Sequence, residues 1–182
     1  WCVPTYYDAY DSFQFKGFES QDFFANDRPV LVEFCSGNGD WILEKAKSQP
    51  DLNFVAVEIQ FKRVKKIWSK MKNLEIDNLI IICGDGRLVS KKYFKENSIE
   101  GIFINFPDPW PKKRHIKHRI IQDDFVKDMH YFLKEDKSVV FVTDSEPYLS
   151  ETIEKFGQAK GFNHAISEPF FLKDPKEYGY SY

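Results

Sequence analysis

One carboxylate lies in a proline-rich turn that leads directly into a run of basic residues. Asp108 is flanked by Pro107 and Pro109 in the stretch NFPDPWPKKRH, after an apolar segment, residues 99–104, that is typical of a buried strand. Each proline fixes its own φ and restricts the residue before it, so we expect an extended, stiff turn. A fixed acid beside positive charge predicts a site that handles a cationic small molecule and a polyanion together.

The basic residues after the turn are predicted to contact phosphate groups. They are Lys112, Lys113, Arg114, Lys117 and Arg119, with His115 and His118 among them. A run of charge is more often a solvated face, and that alternative stays open. Because the whole chain carries a net charge of −2, any polyanion site must be local.

Predicted strands and helices alternate along the sequence, and these elements must position the candidate residues. The predicted strands are residues 30–35, 53–57, 79–83, 99–105, 138–143 and 162–168. The predicted helices are residues 41–47, 61–74, 120–133 and 147–159. This alternation predicts an α/β fold with a doubly wound, mostly parallel sheet and helices on both faces. An aromatic lead-in, residues 1–28, is expected to pack on this domain, residues 29–182; its aromatics include Tyr6, Tyr7, Tyr10, Phe13, Phe18 and Phe24.

Acidic residues recur at the ends of the predicted strands. They are Glu33, Glu58, Asp85, Asp108 and Asp144. Ligands of open α/β sheets bind at the carboxyl ends of the strands, so these acids are expected to meet there. A phosphate site needs donors and positive charge instead. An acidic edge suits a ligand with hydroxyls, an amine and a positive charge, and S-adenosylmethionine is such a ligand.

The turn after the first predicted strand supports a nucleoside ligand. Gly37 and Gly39 let the backbone approach a ligand closely. Glu58 follows this turn by about twenty residues, the spacing at which a carboxylate binds ribose hydroxyls in this architecture. We expect Asp85 to accept from the adenine amine. NAD is the competing ligand, but its G-x-G-x-x-G fingerprint is incomplete because position 42 is Ile.

Composition narrows the class of protein. The 182 residues are 42% hydrophobic and 30% charged, which is typical of a globular domain. Three separated cysteines and four histidines without metal-ligand spacing indicate neither a disulfide framework nor a metal site, and they favour a reducing, cytoplasmic setting. No apolar run is long enough for a membrane span. The chain begins at Trp1 and ends at Tyr182, so we expect further residues at both ends.

Residues 106–119 resemble the signature of the bacterial tRNA (guanine-N7-)-methyltransferases, and the resemblance extends from about Phe24 to the C-terminus, including the stretch TDSEPY at 143–148. It implies a class I, Rossmann-like methyltransferase fold. It also implies methyl transfer from S-adenosylmethionine to N7 of the variable-loop guanosine, position 46 of tRNA, with tRNA as the partner and no obligatory protein partner. One departure is Cys35, which stands where the family has the first glycine of G-x-G-x-G.

The resemblance assigns roles residue by residue. Asp108 matches the residue usually assigned as catalytic. The predicted cofactor-binding residues are Glu33, Gly37, Gly39, Glu58, Asp85, Gly86 and Asp108. The predicted tRNA-contacting residues are Lys112, Arg114, Lys117, Arg119, Asp144 and Ser181. Ser181 stands for the threonine of a late T-x-x-E motif, whose glutamate would follow the end of this sequence.

The predicted helix 61–74 has a basic face of its own. Its cations are Lys62, Arg63, Lys65, Lys66, Lys70 and Lys72. They form either a second phosphate-binding patch or a solvated face. The opposite, buried face is predicted to hold Phe61, Val64, Ile67, Trp68 and Met71, which recur at spacings of three and four.

Two rival functions remain at this point. One is methylation of another RNA base or of a protein amide, for which an N-P-P-Y turn after the fourth strand is common. Here Asp108 replaces the aromatic, which favours an N7 lone pair as the target. The other is a non-catalytic RNA-binding module of the same fold, which the retained Glu58, Asp85 and Asp108 disfavour. Since N7 has no proton to remove, Asp108 is predicted to orient the base or the cofactor.

Overall fold

A computed structural model describes residues 2–4 and 15–173, and in this part the strands form one six-stranded parallel sheet. The strands are β1 (Cys2–Pro4), β2 (Val30–Phe34), β3 (Asn53–Glu58), β4 (Leu79–Cys83), β5 (Gly101–Asn105) and β6 (Val139–Val142). The helices are α1 (Asp40–Ser48), α2 (Phe61–Asn73), α3 (Gly86–Tyr93), α4 (Asp123–Phe132) and α5 (Glu146–Gln158), with a 3-10 helix at Lys113–His118.

The strand order contains one switch point. The sheet runs β1-β4-β3-β2-β5-β6. From β2 the chain builds outward through β3 and β4, then returns to place β5 on the other side of β2. Ligands of such sheets bind outside the carboxyl ends of the strands at the switch point. This strand order therefore predicts a ligand site at the segments after β2 and β5.

Helices cover both faces of the sheet, as the doubly wound prediction requires. On one face Val32 and Phe34 of β2 share a core with residues of α3, α4 and α5. On the other face α1 and α2 pack on β3 and β4. All five side chains of β4 are buried, because a central parallel strand is covered on both sides. The fold-class prediction is therefore confirmed.

One element prediction is wrong, and the elements β1 and α3 were not predicted. Residues 162–168 form turns and bends rather than a strand, and all but the half-buried Phe162 are exposed. Alternation with so few apolar residues cannot bury a face, and a strand there would gain little. The helix α3 was not predicted, although Asp85 caps it by accepting a hydrogen bond from the Arg87 backbone N–H at 2.9 Å.

The buried face of α2 is narrower than predicted. Val64, Ile67 and Met71 are buried, whereas Phe61 and Trp68 are exposed by 58% and 48%. Successive helical residues are rotated by about 100°, so Trp68 points well away from its neighbour Ile67. Three apolar positions suffice to seat the helix on the sheet, which leaves two aromatic rings outside the core.

Residues 15–28 of the lead-in contribute side chains to the core on one face of the sheet. Phe18 and Phe24 are buried, and the Phe18 ring lies 5.7 Å from that of Phe94. Tyr6, Tyr7, Tyr10 and Phe13 lie outside the described residues. Within the described ranges, none of the helices combines the length and apolar character that crossing a membrane requires.

Candidate active site

A cleft opens at the carboxyl edge of the sheet, across the switch between β2 and β5. Its walls are the segments that follow four strands. They include Cys35 after β2, Glu58, Ile59 and Gln60 at the end of β3, Gly84, Asp85, Gly86 and Arg87 after β4, and Phe106, Pro107, Asp108 and Trp110 after β5, with Arg63, His118 and Ile120 also in the lining. The tertiary structure thus brings together Glu58, Asp85, Gly86 and Asp108, which are far apart in sequence.

The turn after β2 depends on left-handed backbone conformations. Cys35, Gly37 and Gly39 have φ values of +61°, +56° and +80°. A Cβ at Gly39 would lie 2.8 Å from Cγ1 of Ile67, so the absence of a side chain lets α2 pack against the turn. Gly39 therefore has a packing role that the sequence did not indicate. Gly37 instead donates its backbone N–H to Glu58.

Glu58 is a rigid, buried carboxylate in the cleft wall. It is 2% exposed. Its Oε2 accepts from the Gly37 backbone N–H at 2.8 Å, and its Oε1 accepts from the Gln60 backbone N–H at the same distance. Arg63 lies 4.0 Å from Oε2. These bonds lock the carboxylate and leave oxygen lone pairs free to accept from vicinal hydroxyls.

Asp85 is the N-cap of α3 and forms several hydrogen bonds with Arg87 in the first turn of that helix. Its Oδ1 accepts from the Arg87 backbone N–H and Nε, and its Oδ2 accepts from Nη2 at 3.0 Å. Burial alone would raise the pKa of Asp85, but the hydrogen bonds and the charge of Arg87 outweigh burial and lower it. The group is therefore an ionised acceptor at the edge of the cleft.

Glu33 is buried at the end of β2, next to the switch point. Its Oε1 accepts from Nδ2 of Asn105 at 2.7 Å, and its Oε2 has no hydrogen-bond partner among the described residues. Burial raises the pKa of Glu33 to about 7, and the Asn105 hydrogen bond only partly opposes this. Glu33 does not line the cleft; it lies buried behind the cleft wall.

Cys35 lines the same cleft as the carboxylates of Glu58, Asp85 and Asp108. Burial raises the pKa of the Cys35 thiol far above its usual range, and the negative charges of Glu58, Asp108, Glu33 and Asp85 raise it further. The thiol thus stays protonated and behaves as a small, inert wall group. Three carboxylates in the lining of one cleft suit a cationic ligand.

The turn that carries Asp108 is less extended than predicted. Phe106 and Trp110 have φ values of +46° and +42°, so the backbone is left-handed rather than extended on each side of Pro107 and Pro109. Phe106 anchors the turn by donating its backbone N–H to the Val142 carbonyl at 2.9 Å. Asp108 is exposed in the cleft, where an incoming group can reach its carboxylate.

Arg119 holds this turn from behind, which corrects its predicted role as a phosphate contact. It is 4% exposed, and its Nε donates to the Pro109 carbonyl at 2.7 Å. Its Nη1 pairs with Glu151 of α5, and its Cζ lies 4.6 Å from the ring centroid of Tyr148. A guanidinium with these partners is not available to an external phosphate.

The rest of the basic strip lies on the surface beside the cleft. Lys112, Lys113, Arg114 and Lys117 are exposed on or next to the 3-10 helix. The Trp110 ring packs against His115 and His118, at centroid distances of 5.6 and 5.3 Å. Trp110 also lines the cleft, so it connects the strip to the cleft.

None of the predicted tRNA-contacting residues that the structure describes is in the cleft lining. Asp144 is exposed just after β6, and Ser181 lies outside the described residues. Within residues 2–4 and 15–173 there is no group of three or more His, Cys, Asp or Glu side chains that could hold a metal ion.

Sequence reasoning missed several residues that line or support the cleft. Ile59, Gln60 and Arg87 line it, and each follows a predicted strand within a few residues, so position alone could have indicated them. Asn105 was identified only as part of the turn, and its bond to Glu33 spans 72 positions of sequence. No local pattern could have indicated that contact.

Comparison with known proteins agrees with this geometry. A family model described as putative methyltransferase matches residues 27–178. A tRNA (guanine-N(7)-)-methyltransferase of Chlamydia caviae is 41% identical over 180 residues, which covers 99% of this chain and 79% of that protein. One of the same name from Lacticaseibacillus casei is 41% identical over 126 residues, covering 69% and 58% of the two chains.

A solved structure supports the fold. A SAM-dependent O-methyltransferase from Thermotoga maritima superposes with a TM-score of 0.55 at 16% identity, covering 72% of this chain and 44% of that one. The strand order and this likeness together identify the fold as that of the class I, Rossmann-like methyltransferases.

Proposed function

The chain belongs to the bacterial tRNA (guanine-N(7)-)-methyltransferase family, and from that premise we propose that it methylates N7 of the variable-loop guanosine of tRNA with S-adenosylmethionine as donor. The observation that carries this proposal is that Glu58, Asp85 and Asp108 line one cleft at the switch point, with Glu33 buried behind its wall. A tRNA substrate also favours a cytoplasmic location.

The residues present suit S-adenosylmethionine. Glu58 would accept from the ribose hydroxyls, since its two oxygens are fixed by backbone donors. Asp85 would accept from the adenine amine. The buried Oε2 of Glu33 lacks a partner among the described residues, and a neighbouring ligand cation would compensate its charge. When bound, this ligand supplies a methyl group on a sulfonium, whose sulfur keeps the bonding electron pair in the product S-adenosylhomocysteine.

The protein's task in the reaction is alignment. Guanine N7 has a lone pair and no proton, so no general base is needed before the new bond forms. Holding N7 in line with the methyl carbon and the sulfur supplies most of the rate advantage. Asp108 would orient the guanine by accepting from its N1–H and amino edge, and the Arg119 brace would hold Asp108 in place. Lys112, Arg114 and Lys117 would position the tRNA through its phosphates.

The first experiment is transfer of a labelled methyl group to an unmodified tRNA transcript, with the modified base mapped by N7-specific strand cleavage. We expect cleavage at the variable-loop guanosine. A transcript with 7-deazaguanosine there is the control for the target atom, and Glu58→Gln is the control for the donor site. Transfer of labelled methyl to the 7-deazaguanosine transcript would contradict N7 as the target. The absence of transfer to any tRNA would contradict the proposed function.

A further inference from the structure

Helix α2 carries an exposed stripe in which aromatic and basic side chains alternate. Phe61, Lys65, Trp68 and Lys72 follow one another at spacings of four, three and four, so they lie along one face of the helix. All four are exposed, and Lys65 Nζ lies 5.0 Å from the Phe61 ring centroid. We call these four residues the α2 stripe.

Helix stability explains only part of the charge of α2, since Lys70 and Lys72 lie in the last turn, where the helix dipole favours positive charge. Its sequence, FKRVKKIWSKMKN, has six cations and no acid, although the chain as a whole is slightly acidic. Lys62 and Arg63 lie in the first turn, where the helix dipole disfavours positive charge. Lys62 and Lys66 also repel each other at a spacing of four. Positive charge that costs helix stability indicates an anionic partner.

The surface lysines of α2 are available to such a partner. Lys70 is occupied, because it pairs with Asp40 and donates to the Asn38 carbonyl at 3.1 Å. By contrast, Lys62, Lys65, Lys66 and Lys72 are exposed, and within residues 2–4 and 15–173 none of them forms an ion pair.

The α2 stripe begins beside the cleft, although its four residues do not line the cleft. Gln60, the N-cap of α2, and Arg63 in its first turn both line the cleft. From there the helix extends for about 20 Å, which places Trp68 about 10 Å along the axis from Phe61. An RNA chain whose reacting nucleotide sits in the cleft can therefore reach the start of the stripe at Phe61, which lies between Gln60 and Arg63 in sequence.

We propose that the α2 stripe binds unpaired nucleotides of the RNA substrate outside the target guanosine, with Phe61 and Trp68 stacking on bases and the lysines contacting phosphates. This inference rests on the proposed function and adds a second contact surface to it. Exposed rings between cations are the arrangement by which proteins hold single-stranded nucleic acid, since every base has a π-face. An acidic protein partner would match the lysines but would leave the two rings without a comparable role.

The test measures the Kd of the full chain for an unmodified tRNA transcript over a series of salt concentrations. Trp68→Leu keeps an apolar side chain and removes the ring, and its matched control is Tyr131→Leu, an exposed aromatic on α4. Lys65→Gln with Lys66→Gln removes two charges. Its matched control is Lys47→Gln with Lys92→Gln, which alters exposed lysines in the last turns of α1 and α3, at the sheet edge opposite the cleft.

We expect Trp68→Leu to weaken tRNA binding about tenfold. The double lysine variant should lower the slope of log Kd against log salt by about 1.5. Both control variants should bind like the parent, and calorimetry should show unchanged affinity for S-adenosylmethionine in every variant. Thermal melting checks that these surface substitutions leave the fold intact.

The inference and the proposed function fail in different ways. If the parent methylates tRNA at N7 but Trp68→Leu and the double lysine variant bind tRNA like the parent, the stripe has another partner and the inference is wrong. If the parent neither binds nor methylates tRNA, the proposed function fails together with the inference. An equal loss of binding in the control variants would also overturn the inference, because it would show a non-specific effect of charge or hydrophobicity.

Discussion

Nδ2 of Asn105 donates a 2.7 Å hydrogen bond to Oε1 of Glu33, joining the end of β5 to the end of β2 across the switch point. Both residues are buried, and Asn105 immediately precedes the turn that carries Asp108. The bond therefore ties the acid behind the cleft wall to the turn at its front. Asn105 thus both donates a hydrogen bond to the Glu33 carboxyl and supports the turn that positions Asp108.

Stability without ligand should fall as pH rises from about 4.5 to about 7. Glu33 has a folded pKa of about 7 against a reference of 4.5, so the folded state holds its proton longer than the unfolded state. This contribution is present below pH 4.5 and is lost through pH 7, by an amount on the order of 3 kcal/mol. Urea unfolding of the parent and of Glu33→Gln across this range measures it. Equal pH dependence in both proteins would contradict the assignment.

Asp108→Asn should reduce kcat/KM for tRNA by about 10- to 100-fold and leave clear residual transfer. An amide keeps one acceptor but presents donors to the guanine edge, so orientation suffers while N7 stays nucleophilic. Single-turnover assays between pH 6 and 9 check this. Calorimetry with S-adenosylmethionine separates loss of donor binding from loss of orientation. Transfer at background level across the whole pH range would support an obligatory base instead.

Arg119→Lys should lower kcat more than it weakens donor binding. Lysine keeps the charge beside Glu151 but loses the planar contact with Pro109 and Tyr148, which loosens the Asp108 turn. The matched control is Arg28→Lys, since the exposed Arg28 also donates to a proline carbonyl, that of Pro50 at 2.9 Å. We expect about 2 kcal/mol of destabilisation at Arg119 and little at Arg28. Unchanged kcat in Arg119→Lys would exclude the brace.

Gly39→Ala should be more destabilising than Gly37→Ala. Both glycines have positive φ, so each alanine suffers backbone strain of about 1–2 kcal/mol. At Gly39 the new Cβ also lies 2.8 Å from Ile67, whereas at Gly37 its contact is with the Cys35 carbonyl oxygen, 3.9 Å away. Overpacking therefore adds about 1–3 kcal/mol at Gly39 alone. Denaturant midpoints compare the two, and equal losses would show that packing against α2 is not the constraint.

Local sequence patterns predicted what depends on local rules. The apolar runs of β2 to β5 predicted buried parallel strands, and the positions of Glu58, Asp85 and Asp108 after three of them predicted a shared edge. The patterns failed where burial depends on neighbours. Spacing placed Phe61 and Trp68 in the core, but the three residues Val64, Ile67 and Met71 already fill the contact with the sheet. Charge placed Arg119 on the surface, although Glu151 and the Pro109 carbonyl offer it partners inside.

The sequence by itself determined the class of fold, the acidic edge and the family, because strand and helix periods and a long motif are properties of neighbouring residues. The tertiary structure decided which acids share one pocket, which arginine supports the turn and which face of α2 stays exposed. Those outcomes depend on contacts such as Glu33 with Asn105, formed across 72 positions of chain. Such contacts exist only after the sheet has brought the ends of its strands together, so no local pattern encodes them.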